Sequence, residues 1–366
     1  MSADPSLPVL ALTLHLFDEP SLGEPDQQAR WERCYGPLFE VLEALPNLRF
    51  GLVLGGDLLA RWEDDHPERL ETVRRWLAEQ RVELVATPLW EPVLSAIPER
   101  DAIAQIVSHA VLVKRLFGVR PRGSWLPYRQ WDPGLPRVYE RAEVDWVLVD
   151  DLAILRHHPG RPDPWGVWWT ERGGHAVRMF ATDARAVEMA GDVPIRDLLL
   201  YARGRAVQGA VVQFWALRAD RFGLADQRDG EADARWLAEF LTGLAGAEHL
   251  RTETPSVAGT MAPERGRTYL PSCAPPDRDH PWERHLLVHP EADRLHKRML
   301  RVSRQLGRWS NEVQKGEARP DPDGRIQAER YLLRAQGAEV FVPGDDPARR
   351  WRAWRDLVRA ERQILR

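Results

Sequence analysis

Apolar residues along this chain follow two rhythms, and the change falls near residue 282. Before it, short apolar runs alternate with stretches whose apolar positions recur at helical spacing. "LPVLALTLH", ending at His15, reads as a buried strand. "LRFGLVLGG", "VELVATPLW", "RGSWL", "VDWVLVDD" and "GAVVQFWAL" read the same way, and "LRTETPSV" resembles a strand and loop that closes the series. Residues 66–79, "ERDAIAQIVSHAVLVKRLFG", "PGLPRVYERA" and "GEADARWLAEFLTGLAG" are helical by their periodicity. Short strands alternating with helices predict a parallel sheet, open or closed into a barrel. In either case the residues just past the strand C-termini form the working face. Those residues are His15, Trp90 with Glu91, Trp125 through Tyr128, Asp150 with Asp151, and the stretch around Arg218 and Asp220.

After residue 282 the pattern is helical only. "HPEADRLHKRMLRVSRQLGRW" places Pro290 at a first helical position and Leu295, Met299, Val302 and Leu306 along one stripe. "RIQAERYLLRAQ" and "DPARRWRAWRDLVRAERQIL" predict two more helices, with the "ARPDPDGR" turn ahead of them. The expected organisation is a β/α barrel over 1–262 and a helical bundle packed on it over 263–366.

Composition narrows the function classes. The formal net charge is −4 and the basic residues are dispersed among acidic ones, so no nucleic-acid footprint is expected. The start, "MSADPSLPVL", lacks a basic segment followed by an apolar one, and no apolar run is long enough to span a bilayer. Cys34 and Cys273 stand far apart in no metal-like spacing, which fits a reduced, cytoplasmic chain. His285 and His289 are four apart, but Pro290 puts the second at a helix start, so no shared face and no metal are expected. No phosphate loop and no GxSxG are present, and no cofactor is implied. Tryptophan is the outlier, with 16 residues; its N–H needs a partner, which favours rims and clefts.

The stretch "GSWLPYRQWDP", residues 123–133, concentrates the chemistry. Trp125 and Trp131 bracket Tyr128 and Arg129 at a strand end, and paired aromatic rings suit flat ligands such as sugars. Here the chain resembles glycoside hydrolase family 57. "LTLHLFDEP" is similar to the family's first, His-rich motif, "LWEPVLSAIPERDAIAQI" to its Tyr-Glu-Pro segment, and "GSWLPYRQWDPGLPRVYERAEVDWVLVDD" to its Trp-Leu-Pro/Thr-Glu-Arg motif. "ADRFG", "YLPS", "VHPEADRLHKRMLRVSRQL" and "ERYLLRAQG" follow in the family's order. The resemblance implies a distorted (β/α)7 barrel followed by helices, acting on α-glucans with a Glu nucleophile and an Asp acid/base. A retaining pair of this kind stands roughly 5–5.5 Å apart.

Carried over residue by residue, the nucleophile falls on Tyr128 and the acid/base on Arg218, while Asp220 keeps the second acidic position. Of the first motif's histidines, His15 stays and the other becomes Phe17. The tyrosine after "YLPS" is lost into "CAPPDRD", and "GAEVFVPGDD" replaces the late motif. The resemblance leaves His15, Trp90, Glu91, Trp125, Arg129, Trp131, Asp150, Trp215 and Arg218 as expected substrate-binding residues. It implies a catalytically impaired protein that binds α-glucan or a maltooligosaccharide, or regulates an active relative. Two alternatives stand beside it. One is an enzyme with rebuilt chemistry, using Tyr128 as nucleophile, Asp220 as acid and Glu91 to activate the phenol. The other is a structural or assembly protein that has left sugars behind. Neither a protein partner nor an oligomeric state is indicated.

Overall fold

The first apolar run forms β1 (Val9–Leu16), whose eight residues are all buried. A strand buried along its whole length and apolar but for Thr13 and His15 is what a sheet covered on both faces leads one to expect. The computed structural model describes residues 7–20, 22–157, 164–222, 230–274, 286, 288–316, 321–341 and 347–365. His285, residues 318–320 of the turn, and parts of "CAPPDRD" and "GAEVFVPGDD" lie outside the described residues.

β1 pairs in parallel with β2 (Phe50–Leu54), which pairs with β3 (Val82–Leu84). Just past β3, Ala86 bridges Ser124 of β4 (Gly123–Ser124). β4 pairs with β5 (Trp146–Asp150), and β5 skips β6 (Val167–Arg172) to reach β7 (His175–Thr182). β7 touches β8 (Val212–Arg218) through Thr182 and Phe214, and β8 pairs with β1 along seven residues. Every step is parallel, so β1, β2, β3, β4, β5, β7 and β8 close a ring: a (β/α)7 barrel. The ring is distorted, because two of its joints rest on a single residue pair each.

The seventh strand is not the one expected. "LRTETPSV" yields only the two-residue β9 (Arg251–Thr252), beside the first residues of β1. β7 closes the ring instead. It is the second arm of an antiparallel hairpin with β6, turned by Gly173 and Gly174 at φ 62° and 83°. Two consecutive positive φ values define the turn that suits tight hairpins, and glycine adopts them without strain. β10 (Glu264–Arg267) extends this arm by pairing with β6.

The expected helices appear as Pro67–Ala78, Glu99–Phe117, Leu135–Arg141 and Gly230–Ala245. The C-terminal helices are Pro290–Lys315, Pro322–Ala335 and Pro347–Ile364, with Pro290 first as expected. Leu295, Met299, Val302 and Leu306 are buried on one stripe. That stripe shares a cluster with Ile106, Tyr139 and Val147 of the barrel, so barrel and bundle close over a common core.

Candidate functional site

Polar side chains gather where the apolar strands stop. His15 stands at the end of β1, Asp150 ends β5 and Arg218 ends β8. Glu91, Trp125, Tyr128 and Arg129 follow β3 and β4 on the loops. His15, Glu91, Trp125, Tyr128, Arg129 and Arg218 line one cavity of about 180 Å3, together with Val187, Ala216, Leu217, Arg221 and Phe222.

His15 is the hinge of this arrangement. Its Nε2 lies 2.5 Å from Glu91 Oε1, and Thr87 Oγ1 donates to the same oxygen at 2.8 Å. The imidazole stacks on Trp125, centroids 4.6 Å apart and planes 12° from parallel. Trp125 is thereby fixed as a wall. Arg129 forms an ion pair with Asp150, with Nε 2.7 Å from each carboxylate oxygen, and Thr182 donates to Asp150 at 3.3 Å. Arg218 folds onto Asp220, with Nε to Oδ1 3.0 Å. Arg218 therefore crosses to neither Glu91 nor Asp150; each of those has its own partner. Asp220 sits in a short helical turn, Ala219–Arg221, rather than in the strand.

Three residues here hold left-handed backbone: Glu91 at φ 44°, Tyr128 at 56° and Arg129 at 53°. Such non-glycine positions cost of order 1 kcal/mol or more each, and they cluster at functional sites. Electrostatics sets the protonation states. Burial pushes the Tyr128 phenol well above its ordinary value, and the Glu339 carboxylate adds to it while Arg218 opposes it. Burial alone would raise Asp220, but the Arg218 ion pair outweighs it and Arg30 adds to the effect, so its carboxyl is held below the usual range.

Not every expected residue reaches the cavity. Trp131 is 1% exposed, donates from Nε1 to Leu270 O and belongs to the core shared with the bundle. Trp215 is fully buried and stacks on Phe240 behind the barrel wall. In β8 successive side chains alternate sides, so Trp215 points outward while Ala216 lines the cavity. Trp90 is buried, its backbone N–H on Gln105, and it does not line the cavity. Asp150 stands in an adjoining recess with Trp125 and Arg129. Residues the sequence did not single out are Thr87, Val187, Arg221 and Phe222. Arg221 and Phe222 sit inside the quoted "ADRFG"; Val187 comes from the Ala184–Met189 helix after β7 and carried no signal. From the bundle, Ala338 N–H donates to Glu91 O at 3.3 Å, so the C-terminal part buttresses the site.

Among the described residues, no three His, Cys, Asp or Glu side chains come together as metal ligands. No described helix is long and apolar enough to cross a membrane.

A closed β/α barrel with a strained, aromatic and charged cavity at its strand C-termini puts that cavity on the face where β/α barrels carry their sites. The comparisons narrow the class. The chain belongs to glycosyl hydrolase family 57, whose profile matches residues 8–270. It is 24% identical to an alpha-amylase of Pyrococcus furiosus over 91% of its length, covering 55% of that protein. It is 23% identical to a 4-alpha-glucanotransferase of Thermococcus litoralis, covering 91% of this chain and 54% of the relative. The crystal structure of the Thermococcus litoralis 4-alpha-glucanotransferase superposes with a TM-score of 0.85 at 22% identity, over 98% of this chain and 60% of that one. The chain thus spans about half the length of the curated relatives it matches.

Proposed function

We propose that this protein is a catalytically impaired member of the family that binds an α-1,4-glucan or maltooligosaccharide, or regulates an active relative. One observation carries the reading. Among the described residues lining the cavity, Glu91 is the single carboxylate, and it is committed to His15 and Thr87. Retaining chemistry needs a second carboxyl within reach. The positions where the resemblance expects the two acids carry Tyr128 and Arg218.

The rebuilt-enzyme alternative has less support. A phenol raised by burial is a poor nucleophile, and an aspartate kept ionised by Arg218 is a poor acid. The assembly alternative leaves the strained backbone and the open cavity without a use. A reducing, cytoplasmic setting is proposed with this function, since Cys34 and Cys273 are both free thiols.

The test is native electrophoresis through glycogen or amylose, with product analysis of the same sample. The protein is expected to be retarded and to release no product, and Trp125→Ala is expected to abolish the retardation. Unretarded migration of the native chain would sink the reading, and so would turnover that Tyr128→Phe removes. A gain-of-function experiment complements it. Tyr128→Glu with Arg218→Asp supplies two carboxyls, and repulsion from Asp220 would raise the new acid's pKa as a general acid requires. The double variant is expected to cleave maltooligosaccharides measurably and each single variant not, because the two groups act as a unit. Activity in a single variant would contradict this.

A further inference from the structure

A second cavity, about 380 Å3, opens between the Glu24–Arg30 helix, the turn that follows it and the Gly56–Asp65 helix. Its volume falls within the ~300–1,000 Å3 range of small-molecule sites, which the strand-end cavity does not reach. Trp31–Tyr35 is a π-helical turn, a widened geometry that proteins keep mostly at functional places. Trp31, Tyr35 and Trp62 give the cavity aromatic walls, and the Arg69 guanidinium lies 3.6 Å from the centre of a Trp31 ring.

Two polar atoms on this wall lack hydrogen-bond partners among the described residues. Asp18 is 3% exposed, and its Oδ1 meets only Arg30, at 3.8 Å. The Arg69 side chain is 10% exposed and stacks on Trp31, but its Nε is buried and its closest acceptor is Glu68, at 3.8 Å. Both separations are too long for a hydrogen bond. Buried polar atoms are seldom left so, because each orphan costs about 1–3 kcal/mol. The cavity therefore asks for a donor at Asp18 and an acceptor at Arg69. An ammonium supplies only the first and an anion only the second. A hydroxyl supplies either.

We propose that this cavity binds a neutral polyhydroxylated ligand, a mono- or disaccharide, at a site separate from the strand-end cavity. The unpartnered Asp18 and Arg69 atoms mark this site independently of any glucan held at the strand ends. The two sites nonetheless lie close. Arg30 Nη1 stands 3.8 Å from Asp18 and 3.9 Å from Asp220, which holds Arg218 at the first cavity.

Calorimetric titration of the full chain with glucose, maltose and putrescine tests the assignment. Saturable binding of glucose or maltose is expected, and none of putrescine. Asp18→Ala and Arg69→Met should each weaken sugar binding by roughly tenfold or more, while Trp125→Ala leaves this site's affinity unchanged. Thermal melts check that the variants fold. Should Asp18→Ala not fold, Asp65→Trp decides, since Asp65 is an exposed rim residue whose enlargement blocks the mouth. No sugar binding, preference for putrescine, or native affinity in all of the folded cavity variants overturns the proposal. Binding lost on Trp125→Ala but kept in the cavity variants also overturns it, and leaves the strand-end reading standing. The reverse pattern supports this site and counts against that reading.

Discussion

Asp151 begins the short helix after β5, and its burial is the largest influence on its carboxyl. Burial and the neighbouring Asp183 push its pKa up to about 7, although Oδ1 accepts from Ala184 N–H at 3.1 Å. The sign follows from proton binding. Between the ordinary value of 3.8 and about 7, the folded chain binds more protons at this group than the unfolded chain does. The raised pKa therefore favours folding at low pH, and that contribution is lost as pH rises from about 4 through about 7. Asp151→Asn keeps the acceptor and removes the charge. It is expected to stabilise the protein by roughly 1–3 kcal/mol at pH 8 and by much less at pH 5, where Asp151 is already protonated. Denaturant unfolding at both values measures it; an equal gain at both would show that charge is not the cause. Tyr128, by contrast, needs no titration to matter. Its left-handed backbone and its place on the same cavity wall as Glu91 and Arg218 make it a fixture of the site.

Two residues are enough for β4 because Trp146 of β5 fills the space beside it. A Cβ built on Gly123 would lie 2.1 Å from the Trp146 ring. The indole is held in turn, its Nε1 donating to Ser256 at 3.0 Å. Gly123→Ala is therefore expected to cost at least about 2 kcal/mol, by overpacking a ring that has no room to retreat. A thermal melt reads the loss. Trp146→Phe in the same background should recover part of it, and a fully native melt for Gly123→Ala would refute the packing argument. Six of the seven ring strands could be read in the sequence, four of them from runs that are mostly apolar and buried and two, β3 and β4, from shorter ones. β1, β2, β5 and β8 are covered on both sides, so continuity is their signature. β7 lacks that signature because "HAVRMFAT" carries His175 and Arg178, neither of them buried, so its apolar run is broken. The site was half legible. Position past a strand end found His15, Glu91, Trp125, Tyr128, Arg129 and Arg218. It could not tell which face of β8 Trp215 takes, nor that Trp131, on the same loop, turns into the core. Alternation along the strand and the depth of the bundle decide those, and neither is local.

At the scale of the whole molecule, the C-terminal helices share a core with one flank of the barrel rather than hanging from it. We propose that the stretches 1–262 and 263–366 fold as one unit, since Met299 and Val302 share a core with Tyr139 and Val147. The joints of the ring are weaker than this common core. β3 and β4 meet through Ala86, with backbone bonds of 2.8 and 2.7 Å, and β7 meets β8 through the single residue pair Thr182 and Phe214, beside which the Asp183 N–H donates to Phe214 O at 2.9 Å. A barrel stitched so unevenly does not loosen uniformly. One of its two single-pair joints, at Thr182, runs beside Val187 and Ala216, which also line the strand-end cavity. In native-state deuterium exchange the Asp183 amide is expected to exchange well ahead of those in β1, through an opening smaller than global unfolding. Equal protection of the two would show that the ring opens only as a whole. Early exchange at Asp183, by contrast, marks a purse-string mouth: a rim slack at one point, able to admit a ligand longer than its resting width without unmaking the molecule behind it.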